Sequence, residues 1–156
     1  GQLMEILSGH TGPVSSISFA SQGGFMASAS WDKTVKVWDI FDKKGIVDTL
    51  HHGSEVLSVE FHPNNKDALS TTLGGQIYQW EAENGQIIGI IECKDDISGG
   101  RLRDDRVTAK SSTKNKHFNN ISISPNGDFV IGGGNSKHIC LYDIRHKIML
   151  NRFAIT

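Results

Sequence analysis

The sequence predicts an all-β protein built from repeated four-stranded antiparallel meanders, and three observations predict it. The first is an internal repeat. Setting Val14-Ser-Ser-Ile-Ser-Phe19 over Val56-Leu-Ser-Val-Glu-Phe61 carries Trp38 onto Trp80 without a gap, so Phe19 to Phe61 and Trp38 to Trp80 share one spacing of 42 residues. A third copy follows at an offset of 104, where Phe129 meets Phe25, Tyr142 meets Trp38 and Asp143 meets Asp39. Self-similarity at such a period marks an array of small units, each burying its apolar face against a neighbour. The second observation is that apolar residues alternate with period two in runs of about six, the pattern of half-buried strands. The third is that no segment keeps a helical period over three turns.

Each element is bounded by residues that favour turns. In the first unit, strands are expected near 14–19, 25–30, 34–40 and 45–50, with Ser-Gln-Gly-Gly before Phe25 as the first turn. In the second they fall near 56–61, 67–72, 76–81 and 86–92, with Pro-Asn-Asn-Lys before Asp67. In the third they fall near 118–124, 128–133, 138–143 and 147–154, with Pro-Asn-Gly before Asp128. Strands of this length between such turns pair as antiparallel meanders. Residues 3–7 read as the last strand of a preceding unit. The units lie near 8–50, 51–92 and 112–154, and Trp80 to Tyr142 is 62 residues, so about 20 extra residues stand between the second and third units, in a basic insertion over 94–116.

Composition excludes several classes. The chain has 156 residues, 37% hydrophobic and 21% charged, with a formal charge of −1, which suits one packed domain and no strong electrostatic class. No apolar run approaches the roughly 20 residues that span a bilayer, and Gly1 to Ile6 have neither a basic n-region nor an apolar h-region. Cys93 and Cys140 lie far apart in sequence, away from any histidine pair with zinc-ligand spacing, so reduced intracellular thiols and no metal are expected. Asn120-Ile-Ser122 matches a glycosylation sequon but falls in an expected strand of a chain without a signal peptide.

Units of 40–45 residues with four strands, Gly-His near the start and Trp-Asp near the end are the signature of WD-repeat β-propeller blades. The first unit resembles that family closely, opening on Gly9-His10 and closing on Trp38-Asp39. The second keeps His52 and Trp80, with Gly74 in the place of Asp32 and Glu81 in that of Asp39. The third has Lys114, Gly134 and Ser136 in place of His10, Ser30 and Asp32, and Tyr142 in place of the tryptophan. The resemblance implies a buried hydrogen-bond chain through Trp38, Ser30 (or Ser28, which points the same way), His10 and Asp32. The chemistry suits it: an indole N–H only donates, a hydroxyl relays, and an imidazole passes its other N–H to a carboxylate.

The resemblance also places Trp31 on the top surface of a propeller, where a large aromatic is a candidate anchor for a partner; the alternative is that it caps a neighbouring blade. Thr11, Pro13, Glu55, Leu73, His117 and Asn135 take corresponding rim or top positions.

Other chemistries are weaker matches. Ser30, His10 and Asp32 carry the residue types of a hydrolase triad, but the strained Gly-x-Ser-x-Gly elbow is missing and a structural network accounts for all three and Trp38 as well. Ser30→Ala or His10→Ala should therefore alter stability and not turnover. Gly132-Gly-Gly-Asn-Ser-Lys137 lacks the Gly-Lys-Ser/Thr ending of a phosphate loop and precedes a strand. His51 and His52 are adjacent on an extended segment and point to opposite faces, so surface imidazoles are expected there and at His62 in place of a metal cluster. No catalytic residue and no cofactor is expected.

The insertion carries Lys or Arg at 94, 101, 103, 106, 110, 114 and 116 against Asp at 95, 96, 104 and 105. A solvated loop is one reading; contact of Arg101, Arg103, Arg106, Lys110, Lys114 and Lys116 with RNA or a partner is the other. Leu7-Ser-Gly-His-Thr-Gly-Pro-Val14, Ala27 through Asp39, Ser98-Gly-Gly-Arg101, Val107-Thr-Ala-Lys110, and Gly133 through Asp143 together are similar to the periodic tryptophan protein branch of the family. Generic WD repeats lack the insertion. That branch implies a non-enzymatic, nucleolar scaffold of the small-subunit processome. It would act with the U3 small nucleolar ribonucleoprotein in small-subunit ribosomal RNA processing, with other processome proteins and precursor ribosomal or small nucleolar RNA as partners. The broader alternative is a WD-repeat adaptor for another assembly, such as a ubiquitin ligase substrate receptor or a chromatin reader. Three units leave a propeller incomplete, so a fragment that self-associates through its open faces is expected.

Overall fold

The computed structural model describes residues 1–41, 45–97 and 117–155 as three four-stranded antiparallel sheets in which each strand pairs with its chain neighbour. The first holds β1 (Val14–Phe19), β2 (Phe25–Ser30), β3 (Thr34–Asp39) and β4 (Gly45–His51). The second holds β5 (Val56–Phe61), β6 (Asp67–Thr72), β7 (Gln76–Glu81) and β8 (Ile87–Glu92). A single helical turn, α1 (Lys94–Ile97), precedes the third, which holds β9 (Asn120–Ile123), β10 (Phe129–Gly133), β11 (His138–Asp143) and β12 (Ile148–Ala154). This is the all-β meander architecture expected from the repeat.

Two devices recur at matching positions and show that the units are true copies. The β2–β3 turn needs a left-handed residue, supplied by Lys33 at φ 69° in the first unit and by Gly75 at φ 79° in the second. Glycine takes that conformation without a Cβ clash, whereas lysine does so only because the turn holds it. A change of register also falls beside the hub aromatic in all three sheets, at Val37/Trp38, Gln79/Trp80 and Leu141/Tyr142. Such bulges re-aim a side chain, here the aromatic of the third strand.

The cores lie between sheets. Ala27, Val35 and Leu50 of the first pack with Val56, Val59, Phe61 and Trp80 of the second. Leu69, Ile77 and Ile91 of the second pack with Phe118, Ile121, Ile123 and Val130 of the third. Along the first junction β1 and β5 are joined by side chains: Ser15 Oγ donates to the Val56 carbonyl (2.7 Å), and Ser16 and Ser18 hydroxyls accept from the Val59 and Phe61 amides at 3.3 and 3.0 Å. At the second junction the Ile123 amide donates to the Glu60 carboxyl, although burial raises that group's pKa.

Two expectations differ from the structure. Residues 3–7 form no strand, because no strand of the three sheets pairs with them and an extended segment without ladder partners has nothing to hold it. Residues 94–97, read as the start of a loop, form α1, whose Ile97 is buried in the second core. Arg101, Arg103, Arg106, Lys110, Lys114 and Lys116 lie outside the described residues.

Candidate functional site: three hubs and the face above them

Each blade centres on the aromatic of its third strand, and the three centres differ. In the first, Trp38 Nε1 donates to Ser28 Oγ at 2.8 Å, and Ser28 Oγ lies 2.7 Å from His10 Nε2. Because the indole can only donate, the Ser28 hydroxyl passes its own hydrogen to Nε2, which leaves Nδ1–H to donate to Asp32 Oδ2 at 2.8 Å. Asp32 also accepts from the Thr11 and Thr34 amides and from Thr34 Oγ1. Burial alone would raise its pKa, but the bonds from Thr34, His10 and Thr11 hold the carboxyl well below the ordinary range.

Ser28, and not Ser30, is the relay. Both face the same way along β2, but Met26 is the residue opposite Trp38, so Ser28 is one diagonal step away and Ser30 two. Ser30 Oγ instead donates to the Gly12 carbonyl at 3.1 Å and accepts from the Asp32 amide. Ser30 therefore does not touch His10, and Ser28, buried and committed to both Trp38 and His10, is not presented to a substrate. Ser28→Ala should leave the Trp38 N–H and His10 Nε2 unpaired and cost about 1–3 kcal/mol, visible as a lowered melting temperature; an unchanged melt would remove the relay from the account.

The second hub lacks its acid. Trp80 Nε1 donates to Ser70 Oγ at 3.2 Å, and Ser70 Oγ meets His52 Nε2 at 2.7 Å. Gly74 stands where Asp32 stands, and His52 Nδ1 and Thr72 Oγ1 are buried without a hydrogen-bond partner. Burial, with a smaller contribution from the neighbouring His51, lowers the His52 pKa to about 4. His52 is thus no surface imidazole but a buried one, neutral at pH 7 and stacked edge-on against Tyr78 with ring centroids 4.7 Å apart.

The third hub uses another acid altogether. Tyr142 donates to Asp96 Oδ2 of α1 at 3.0 Å, and Arg152 Nη1 donates to the Asp96 carbonyl at 3.0 Å. At the register position of Ser28 the chain has Gly132, where a Cβ would come within 2.7 Å of the Phe118 ring, so that ring fills the room of the lost hydroxyl. Burial raises the Tyr142 pKa and pushes Cys93 beside it up to about 12, which keeps both protonated.

The expected top positions lie where the β2–β3 turns and the starts of the inner strands meet. Trp31 is 56% exposed, and its amide donates to the Pro13 carbonyl. The copy of that bond runs from Leu73 to Glu55 at 2.8 Å, which puts exposed Leu73 and half-buried Glu55 on the same rim one blade further on. Thr11, Pro13 and Asn135 are exposed. His117 departs from the expectation: it is buried. The segment 117–119 enters so close beneath the Gly134 turn that a Cβ there would lie 2.9 Å from the His117 carbonyl, which places the residue below the rim.

His62 sits at the other end of the blade, where its Nε2 meets the Gly127 carbonyl at 2.7 Å. It borders a polar groove of about 460 Å³ with Asp67, Asp128, Arg145 and Lys147, and so forms no cluster with His51 and His52. Among the described residues no group of three or more His, Cys, Asp or Glu is arranged to hold a metal ion.

Comparison with known proteins fits this geometry. The family described as WD domain, G-beta repeat matches residues 1–39, 45–81 and 110–143. Over its whole length the chain is 46% identical to periodic tryptophan protein 2 homolog of Schizosaccharomyces pombe, of which it spans 18%. It is 42% identical to periodic tryptophan protein 2 of Saccharomyces cerevisiae and of Arabidopsis thaliana, spanning 17% of each. The chain thus covers less than a fifth of the length of these relatives. With three matched repeats, a Trp–Ser–His–Asp hub in the first blade and divergent copies in the others, the chain belongs to the WD-repeat family.

Proposed function

We propose that this chain is part of a non-enzymatic scaffold in ribosome biogenesis. It would be a platform within the small-subunit processome, acting with the U3 small nucleolar ribonucleoprotein in the nucleolus during processing of small-subunit ribosomal RNA. The observation that carries the reading is similarity along the whole chain, insertion included, to proteins named periodic tryptophan protein 2. The physical character of the molecule is consistent with it. Its buried hydroxyl, imidazole and carboxyl groups tie strands together, whereas its exposed groups make a rim on which Trp31 and Leu73 offer apolar anchors to a protein partner. Arg101, Arg103, Arg106, Lys110, Lys114 and Lys116 supply the positive charge for an RNA backbone or an acidic partner.

The test is to recover the tagged parent protein from nuclear extract and sequence the RNA that comes with it. Co-enrichment of precursor ribosomal RNA and U3 small nucleolar RNA is the expected result, weakened by Trp31→Ala. Recovery of a different assembly without those RNAs would move the function to an adaptor, such as a ligase substrate receptor or chromatin reader.

A further inference from the structure

The second hub is a copy of the first without its carboxylate, and it keeps the groups that a carboxylate would meet. In the first hub Asp32 gathers four bonds. Its Oδ2 accepts from His10 Nδ1–H at 2.8 Å and the Thr11 amide at 3.0 Å, and its Oδ1 from the Thr34 amide at 2.9 Å and Thr34 Oγ1 at 2.6 Å. At the spacing of 42 residues the ring and the two amides become those of His52, Gly53 and Gln76, whereas Asp32 becomes Gly74. The imidazole is held the same way in both hubs, with Nε2 2.7 Å from a serine hydroxyl, so Nδ1 carries the proton in both.

Among the described residues no group stands in for that carboxylate. His52 is 8% exposed, and its Nδ1 has no hydrogen-bond partner. The Leu50 and Lys33 carbonyls beside the ring favour its proton, but that of Lys33 is committed to the His52 amide and neither is placed to accept from Nδ1. Gln76, at the position of Thr34, commits its side chain elsewhere, accepting from the Tyr78 hydroxyl and donating to Glu92. Thr72 is released as well. Its copy in the first blade, Ser30, accepts from the Asp32 amide, whereas the Gly74 amide donates to Ser54 Oγ at 2.9 Å and leaves Thr72 Oγ1 buried without a partner. A buried donor without an acceptor carries the full penalty of its lost hydration, so a group that accepts from it is favoured.

We propose that the β6–β7 turn of the second blade binds a carboxylate, brought by an aspartate or glutamate side chain of a protein partner. The first hub shows why this chemistry fits: a flat group with two oxygens meets donors on both of them. A cation would face N–H groups, and a neutral amide would bring one acceptor oxygen to donors arranged for two. The site lies at the rim. Gly53 and Leu73 are exposed and Gly74 is half-buried, so a loop reaches it without parting the blades, and Leu73 offers apolar contact beside it. Ser54 Oγ, which a Cβ on Gly74 would approach to 2.9 Å, rotates aside to admit the incoming group. The blade that carries the site packs against a neighbour on each side, so its surroundings are those of an interior blade.

The test uses the 156-residue chain and two probes, formate and an aspartate blocked as its N-acetyl methylamide, against chloride at matched ionic strength. In proton–nitrogen NMR spectra at neutral pH both probes should shift the His52 Nδ1–H, Gly53 and Gln76 resonances saturably and raise the melting temperature, and chloride should do neither. Gly74→Asp supplies the carboxylate from the chain itself. In that variant the three resonances should already lie where saturating probe puts those of the wild type, and the response to both probes should be lost. No saturable shift in the wild type overturns the proposal, as does an equal response to chloride or an undiminished response in a folded Gly74→Asp chain. A response to formate without one to the blocked aspartate confines the site to free anions and overturns the partner side chain. The wild-type shifts decide the matter by themselves if Gly74→Asp does not fold. All of these readouts are made on the purified chain, so they stand or fall separately from the assembly that the parent protein joins.

Discussion

Replacing Trp80 by alanine should destabilise the chain by about 3–5 kcal/mol, the range for truncating a buried aromatic, which is a large share of the roughly 5–15 kcal/mol that holds a domain folded. Trp80 has no exposed surface, packs between the first and second sheets and donates to Ser70. Truncation opens a cavity there and strands the hydroxyl that positions His52. Trp38→Ala removes an equally large ring, but Trp38 is not among the apolar residues that join the first and second sheets. Urea denaturation of both variants checks this: the Trp80 variant should lose more, and equal losses would mean that the interface between sheets is not where the stability lies.

Acid should destabilise the chain first through His52. The ordinary histidine pKa is 6.5, and burial lowers that of folded His52 to about 4. Between those values the unfolded chain takes up a proton that the folded chain refuses, so stability is fully present above pH 6.5 and falls as pH drops towards 4. The loss from this one residue is about 3 kcal/mol, since each tenfold difference in proton affinity between the folded and unfolded chain is worth about 1.4 kcal/mol. Asp32 acts in a lower window: its folded pKa is depressed, so its contribution is lost only as pH falls below the ordinary carboxyl value of 3.8. Gly74→Asp should narrow the His52 loss, because the new carboxylate accepts from the unpaired Nδ1–H and favours the protonated ring. Ser54 Oγ, 2.9 Å from the position of the added Cβ, has to rotate aside. Thermal melts over a pH series decide it. If His52→Gln and wild type lose stability in parallel between pH 6.5 and 4, His52 is not the acid-sensitive group.

Most of the strand plan is legible because each boundary is written locally, in turn residues and period-two alternation. The ends that differ do so by a residue or two, as in β9, which spans Asn120–Ile123 where the pattern predicts 118–124. The hubs are legible as residue types and not as partners. Ser28 and Ser30 share a face, and only the strand register, which is non-local, separates them. Asp96 gives no signal, because the residue that replaces Asp32 in the third hub lies 46 residues before Tyr142 and not in the equivalent turn. Lys114 in the place of His10, Tyr142 in that of the tryptophan and Gly132 at the register position of Ser28 are the hints that the third hub has abandoned the hydroxyl relay. His117 is misplaced by the repeat because register arithmetic carries a position along a strand but not the path by which an insertion delivers the chain to it.

The seams between blades are made by side chains and not by paired strands, and this ties the opening of one blade to its neighbours. The middle blade is braced on both sides, by Ser15, Ser16 and Ser18 on one and by Glu60 on the other. In an array where stability is the sum of unit and neighbour terms, opening the middle blade therefore breaks two seams at once. The second hub lies between those two seams, which is how an unpaired buried histidine persists there.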